Sequence, residues 1–307
     1  MKKLYSRIFA FMLVAAMLLT ACGGSSSKET TADTSAPAAE ASEEATTPAA
    51  AEGGEATEIH VFIAASLSAV MEELKTMYNE EHPEVTITYS ADSSGTLLTQ
   101  IEEGFECDVF FSAAQKQVNT LQDEDNMVIE GKRANVVNNQ VCVVKAKDAE
   151  TQVTGLEDIE KASSIALADG SVPVGKYTRQ ALVNLSKLEA VDDVSTITTA
   201  QVSEALGGVE ISEQGNVSKI RTAVAEGSCE VGTVYYSDTY GYENELDIIQ
   251  MVDYSLTGDV IYPICRVVNK EADDAQTAAA DSFYEFILSD EATAVFDKYL
   301  FDTNVER

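Results

Sequence analysis

Residues 59–78 read IHVFIAASLSAVMEELKTMY, and the reading of this stretch decides the fold. Ile59-His60-Val61-Phe62-Ile63-Ala64-Ala65 is an apolar run of strand length, the pattern of a strand buried on both faces. Ser66 follows it. Leu67, Val70, Met71, Leu74, Met77 and Tyr78 then recur at helical spacing until His82-Pro83 ends the helix.

Working outward, the same alternation repeats. Val85-Thr86-Ile87-Thr88-Tyr89 is β-branched and strand-like, and Ala91-Asp92-Ser93-Ser94-Gly95 leads into a short helix with Leu97, Leu98 and Ile101, closed by Gly104. Asp108-Val109-Phe110-Phe111-Ser112 is a third strand, followed by a helix with Val118 and Leu121. Strand and helix alternating at this pace predict βαβ units and a largely parallel sheet. The pattern restarts after one long apolar strand, Asn135 to Val144, long enough to cross between lobes. Strands are expected at Ser164–Ala168, Val194–Thr199 and Glu230–Tyr236, with helices beginning near Gly175 and spanning about Val217–Ala225. Val260 to Val268 reads as the return crossing, and Asp273 to Leu300 as two amphipathic helices. The expected architecture is α/β, with a second lobe (139–261) inserted into a first (59–138 and 262–307) and a cleft between them. Closure is expected to bend the crossing strands near Val141 and Val267.

Upstream, Lys2, Lys3 and Arg7 precede an apolar run from Ile8 to Leu19, the charged start and greasy middle of a secretory signal, 1–21. The run ends in Leu19-Thr20-Ala21-Cys22, which resembles the bacterial lipobox and implies that Cys22 becomes the lipid-bearing first residue. From Gly23 to Glu58 the chain is almost only Gly, Ser, Thr, Ala, Pro and Glu. Such a composition cannot bury enough apolar surface to offset its chain entropy, so 22–58 reads as a lipidated cysteine and acidic spacer. A membrane anchor on the extracytoplasmic face is the expected location.

The chain carries 52 acidic and 20 basic side chains, a formal charge of −32, and loss of the signal's three positive charges leaves the mature chain near −35. With no basic patch to neutralise phosphates, a nucleic-acid partner is excluded. Cys107, Cys142, Cys229 and Cys265 have no metal-site spacing, and the chain has only His60 and His82 besides, so no metal centre is expected. Four cysteines in an exported chain allow three complete pairings, and a bridge between Cys142 and Cys265 stands beside buried free thiols as an open alternative.

In open α/β sheets ligands collect beyond the carboxyl ends of the strands. Four helix starts fall there: Ser66, Ser94-Gly95, Val174-Gly175 and Asn216-Val217. Each offers unpaired amide hydrogens and the positive end of a helix dipole, the elements of an anion site. A serine before a helix is by itself more often a cap. The convergence of four starts from two lobes is the argument. Catalysis finds no comparable pattern: Ser66 lacks the glycines of a nucleophile elbow, and there is no phosphate loop with its lysine.

Ala64-Ala65-Ser66-Leu67, Ser94-Gly95-Thr96-Leu97, Gln100-Ile101-Glu102-Glu103-Gly104, Asp108-Val109-Phe110-Phe111-Ser112-Ala113, Val172-Pro173-Val174-Gly175-Lys176-Tyr177 and Gly232-Thr233-Val234-Tyr235-Tyr236-Ser237-Asp238 occur in that order. Together they resemble the periplasmic molybdate-binding protein family, the substrate-binding component of molybdate ABC transporters. The resemblance implies a type II periplasmic-binding-protein fold closing on molybdate or tungstate, with no cofactor, no catalysis, an ABC permease as partner and a monomeric receptor. It places the ligand donors at the Ser66 and Ser94 hydroxyls, the Val174 and Val217 amides and the Tyr235 hydroxyl. Two positions depart from the family pattern. Val174 stands where alanine is usual, and Ala114 where an aspartate is usual, at a local hinge or pocket edge. The rival readings are another tetrahedral oxyanion such as sulfate or phosphate, ferric ion on Tyr235-Tyr236, a secreted hydrolase, and an adhesion or scaffold protein.

Overall fold

The computed structural model describes residues 56–306. The signal, Cys22 and most of the spacer lie outside them. The spacer's last three residues do not, and two of them, Thr57 and Glu58, open strand β1 (Thr57–Ala64), with Thr57 N–H donating to Glu84 O at 2.9 Å. Backbone pairing with the neighbouring strand orders them although their side chains contribute no apolar run.

The first sheet contains β1, β2 (Val85–Asp92), β3 (Val109–Phe111) and β4 (Val128–Asn139), together with the late strand β10 (Val260–Val267). Its order is β2-β1-β3-β10-β4. The second sheet contains β5 (Val141–Ala146), β6 (Ser164–Ala168), β7 (Glu210–Gln214), β8 (Val231–Tyr235) and β9 (Leu246–Met251), in the order β7-β6-β8-β5-β9. Each sheet is the centre of one lobe. Between strands lie α1 (Ser68–Glu81), α2 (Ser94–Glu102), α3 (Gln115–Asn119), α4 (Pro173–Asn184), α5 (Thr199–Ala205), α6 (Val217–Ala225) and α7 (Tyr254–Thr257), with α8 (Asp274–Ile287) and α9 (Asp290–Lys298) closing the chain.

Alternation along the strands sends side chains to both faces of the first sheet. Phe62 and Phe110 pack with Leu97 and Ile101 of α2 and Val118 and Leu121, whereas Phe111 meets Phe296 of α9 edge-on at 5.9 Å. In the second lobe α6 lies hard against β8. A Cβ on Gly232 would stand 2.8 Å from the side chains of both Ile220 and Val224, so only glycine permits this approach.

The sheets are mixed rather than largely parallel. β1 runs parallel to β2 and β3, and β6 to β7 and β8, but β10 is antiparallel to β3 and β4, and β5 to β8 and β9. The reason is topological: β5 and β10 enter their sheets from the cleft and so run against the strands that end there. The expected long strand from Asn135 to Val144 is two strands, broken at Gln140. Asn138 Oδ1 accepts the Asn139 N–H at 2.8 Å and Asn139 Oδ1 the Gln140 N–H at 2.9 Å, so side chains satisfy the backbone where the chain changes sheet. Asn139 thus belongs to the first sheet, as do Val260 and Ile261, which pair with Asn139 and Asn138. The chain therefore changes sheet at Gln140 and again in the segment before Val260. Val267 pairs with Val128 at the far end of β10 and is no part of the crossing.

Val194–Thr199 is not a strand. Asp193 accepts the Ser195 N–H at 3.0 Å to cap a 3-10 turn at Val194–Thr196, and Thr198 and Gln201 form a capping box that starts α5. The strand that pairs with β6 is instead β7, a polar edge strand without an apolar run. Cys142 and Cys265 sit in different sheets, and all four cysteines of the described residues are buried and unbridged. Burial pushes the Cys265 thiol up to about 12. Among the described residues, no helix is long and apolar enough to cross a membrane.

Candidate anion-binding site

A cavity opens where the carboxyl ends of the strands of the two sheets face each other. It is lined by Ala64, Ala65, Ser66, Asp92, Ser93, Ser94 and Ala113 from the first lobe and by Val172, Pro173, Val174, Asn216, Val217 and Tyr235 from the second. Its free volume is only about 10 Å³, far below the roughly 300–1,000 Å³ typical of organic ligand pockets. A small inorganic solute fits that size better than a metabolite.

The five residues singled out from the sequence, Ser66, Ser94, Val174, Val217 and Tyr235, all line this one cavity. Ser66 lies in the 3-10 turn Ala65–Leu67 between β1 and α1. Its Oγ is 2.9 Å from the hydroxyl of Tyr262, which in turn accepts from Asn139 Nδ2 at 3.2 Å. This chain of contacts pins the Ser66 side chain at the cavity wall. Ser94 is fully buried, and its Oγ accepts the Ala113 N–H at 2.9 Å, which leaves its own hydrogen to donate. It is not the cap of α2. Ser93 is, accepting the Thr96 N–H at 3.1 Å.

Val174 and Val217 stand in the first turns of α4 and α6, whose leading amides have no intrahelical acceptor. Pro173 at the start of α4 presets the turn and has no N–H of its own to satisfy. Gly175 is obligatory here, since a Cβ would lie 2.1 Å from Asp169 O. One turn on, the buried Arg179 guanidinium donates to Ala168 O at 2.7 Å, Gly175 O at 2.9 Å and Ile197 O at 2.7 Å. It braces the Pro-x-Gly turn and sets a positive charge behind the wall that Val174 forms.

Tyr235 ends β8 and is only 1% exposed, and its hydroxyl has no hydrogen-bond partner among the described residues. Burial holds the phenol well above its ordinary range, so the hydroxyl is a neutral donor. A buried donor without a partner costs about 1–3 kcal/mol, and an anion in the cavity is the group that would satisfy it. Its backbone N–H donates to Asp238 Oδ2 at 3.1 Å, and burial pushes that carboxyl up to about 7.

Sequence reasoning passed over Asp92 and Ser93. The signal was present, because an Asp-Ser-Ser run before a helix is a capping pattern. Ala114 lies outside the lining, as the N-cap of α3 without a side-chain bond, so its departure removes a helix cap rather than a pocket edge. Of the tyrosine pair only Tyr235 lines the cavity. Neither histidine approaches it: His60 faces Glu106 at 3.2 Å, and His82 stacks on Tyr78 with ring centroids 4.4 Å apart. Among the described residues no cluster of three or more His, Cys, Asp or Glu side chains is placed to hold a metal ion.

The molybdate-binding protein ModA of Haemophilus influenzae is 26% identical over 255 residues, covering 80% of this chain and 90% of its own. A solved substrate-binding domain from Clostridium difficile is 27% identical, with a TM-score of 0.57 over 81% of this chain and 99% of that one. The periplasmic molybdate-binding protein of Azotobacter vinelandii shares the fold at a TM-score of 0.64 and 18% identity, over 81% of this chain and 100% of that one. The fold is that of the type II periplasmic-binding proteins. The family of bacterial extracellular solute-binding proteins matches residues 59–302, four-fifths of the chain, and the chain belongs to that family of non-catalytic transport receptors.

Proposed function

We propose that the chain captures molybdate or tungstate outside the cell and delivers it to an ABC permease. The observation that carries this reading is the convergence of donors from both lobes on one small cavity, with the buried Tyr235 hydroxyl left without a partner. The Ser66 and Ser94 hydroxyls, the Val174 and Val217 amides and the Tyr235 hydroxyl would hold the oxyanion without a positively charged side chain. Neutral donors aimed into a desolvated cleft bind a dianion well. A chain of this net charge would meet long-range repulsion on approach. One chain supplies both walls, so a monomer suffices. Lipid on Cys22 would tether it to the outer face of the cell membrane.

Calorimetric titration of residues 51–307 with molybdate, tungstate, sulfate and phosphate tests the reading. Tight one-to-one binding of molybdate and tungstate with sulfate silent is expected. Silence from both metal oxyanions refutes it. A second reading, phosphate in place of molybdate, rests on Asp92, the one carboxylate in the lining. A carboxylate repels a fully ionised dianion but accepts a hydrogen bond from one that carries a proton. Binding of phosphate in preference to molybdate in the same titration would establish that reading.

A further inference from the structure

Two cavity residues touch each other across the cleft. Asp92 ends β2 in the first lobe and Asn216 caps α6 in the second, and Asn216 Nδ2 donates to Asp92 Oδ1 at 2.9 Å. Each partner is anchored to a helix start of its own lobe. Asp92 Oδ1 also accepts the Ser93 N–H at 2.7 Å, beside Ser94, and Asn216 Oδ1 accepts the Lys219 N–H at 3.1 Å, in the turn that carries Val217. The bond therefore joins the two helix starts whose donors face the cavity. It is partly shielded from water, Asn216 being 9% exposed and Asp92 half-buried. At the cleft mouth Lys116 Nζ reaches Asp193 Oδ2 at 2.8 Å and Ser195 Oγ at 3.0 Å, but the Lys116 and Asp193 side chains are 46% and 44% exposed and that ion pair is correspondingly weaker.

We propose that the Asp92–Asn216 pair is a clasp that holds the cleft shut over its ligand and sets the rate of release. The proposal rests on the anion-receptor reading and adds residues that need not touch the ligand through a donated hydrogen bond. The bond exists only when the lobes are together. It therefore stabilises the closed state alone, and its loss acts on release rather than on capture. Asp92 also exacts an electrostatic cost, because it places a carboxylate on the wall of an anion cavity. The Ser93 N–H and the Asn216 amide offset part of that charge. Asp92 and Asn216 are positioning residues in this scheme.

The test is the release and capture of radiolabelled molybdate by residues 51–307, in two charge-matched comparisons. Asn216→Ser keeps a capping oxygen for α6 and removes the amide donor, without changing charge. Its release should be about tenfold faster than that of the unaltered chain, the loss expected for one hydrogen bond to a charged acceptor. Asp92→Ala should likewise release faster than Asp92→Asn, which keeps the acceptor and lacks the charge. Equal release rates within both pairs, in a chain that binds molybdate, overturn the clasp alone. An unaltered chain that binds no molybdate overturns the reading of the cavity and the clasp with it.

Discussion

Replacing Tyr235 with phenylalanine should make the ligand-free protein no less stable and yet bind its anion much more weakly. The hydroxyl is buried without a partner, so its removal relieves a desolvation cost of about 1 kcal/mol or more while the ring keeps its packing. That packing includes the edge-on contact with Tyr262 at 5.8 Å. For a chain of this size about 1 kcal/mol raises Tm by roughly 2–4 °C, and a water entering the cavity would reduce the gain toward zero. The bound state loses a hydrogen bond from a neutral donor to a charged acceptor, worth about 1.5–3 kcal/mol, which is roughly a ten- to 150-fold rise in Kd. Differential scanning fluorimetry without ligand and calorimetry with molybdate read the two effects separately. A merely structural tyrosine would lower Tm and leave Kd alone. Either a Tm lowered by several degrees or an unchanged Kd refutes the assignment of this hydroxyl.

Three further outcomes are expected. A Cβ on Gly95 would lie 2.9 Å from the Ser171 carbonyl oxygen across the cleft, so Gly95→Ala should weaken binding by about tenfold or more by opposing closure. Thermal stability should hold in that variant, because the position is helical and the strain is absent from the open form. The Lys116–Asp193 pair joins the lobes at the exposed cleft mouth and contributes at most about 1 kcal/mol, screened by salt. Molybdate release should accelerate with ionic strength in the unaltered chain and be less sensitive in Lys116→Gln, as stopped exchange measurements would show. Burial raises Asp238 to about 7, so the folded protein keeps a proton there that the unfolded chain loses near pH 4. The associated stability is present below about pH 4 and fades as pH rises through about 7. Asp193 acts in the opposite sense at lower pH, since the Lys116 ammonium holds its carboxyl far below the usual range. Urea midpoints at pH 4.5 and pH 7.5 should therefore fall less in Asp238→Asn than in the unaltered chain, and an identical fall would exclude the role.

The parts of the fold legible in the sequence are those with a local cause. The strand from Ile59, the helix after Ser66, the short helix after Ser94 and the strand Ser164–Ala168 follow from periodicity and caps within a dozen residues. Where local chemistry competed, the reading failed. Val194–Thr199 looks β-branched, but Asp193 and Thr198 cap turns there, and the true edge strand Glu210–Gln214 is too polar to announce itself.

The sequence by itself determined the alternation of strand and helix and the four helix starts that place Ser66, Ser94, Val174 and Val217 in the cavity wall, because such starts beyond strand ends are marked by serine, proline, glycine and asparagine in the local chain, whereas Tyr235 was named only by resemblance to a known family. Only the tertiary structure decided that β5 and β10 run against their neighbours, that the chain changes sheet at Gln140 and that Tyr235 Oη is left unpaired. It also brought Asp92 to Asn216, 124 residues away. The physical reason is that capping and periodicity are settled within a turn or two of chain. Pairing across a cleft depends instead on how two separately formed sheets are set against each other, which no local stretch of residues encodes.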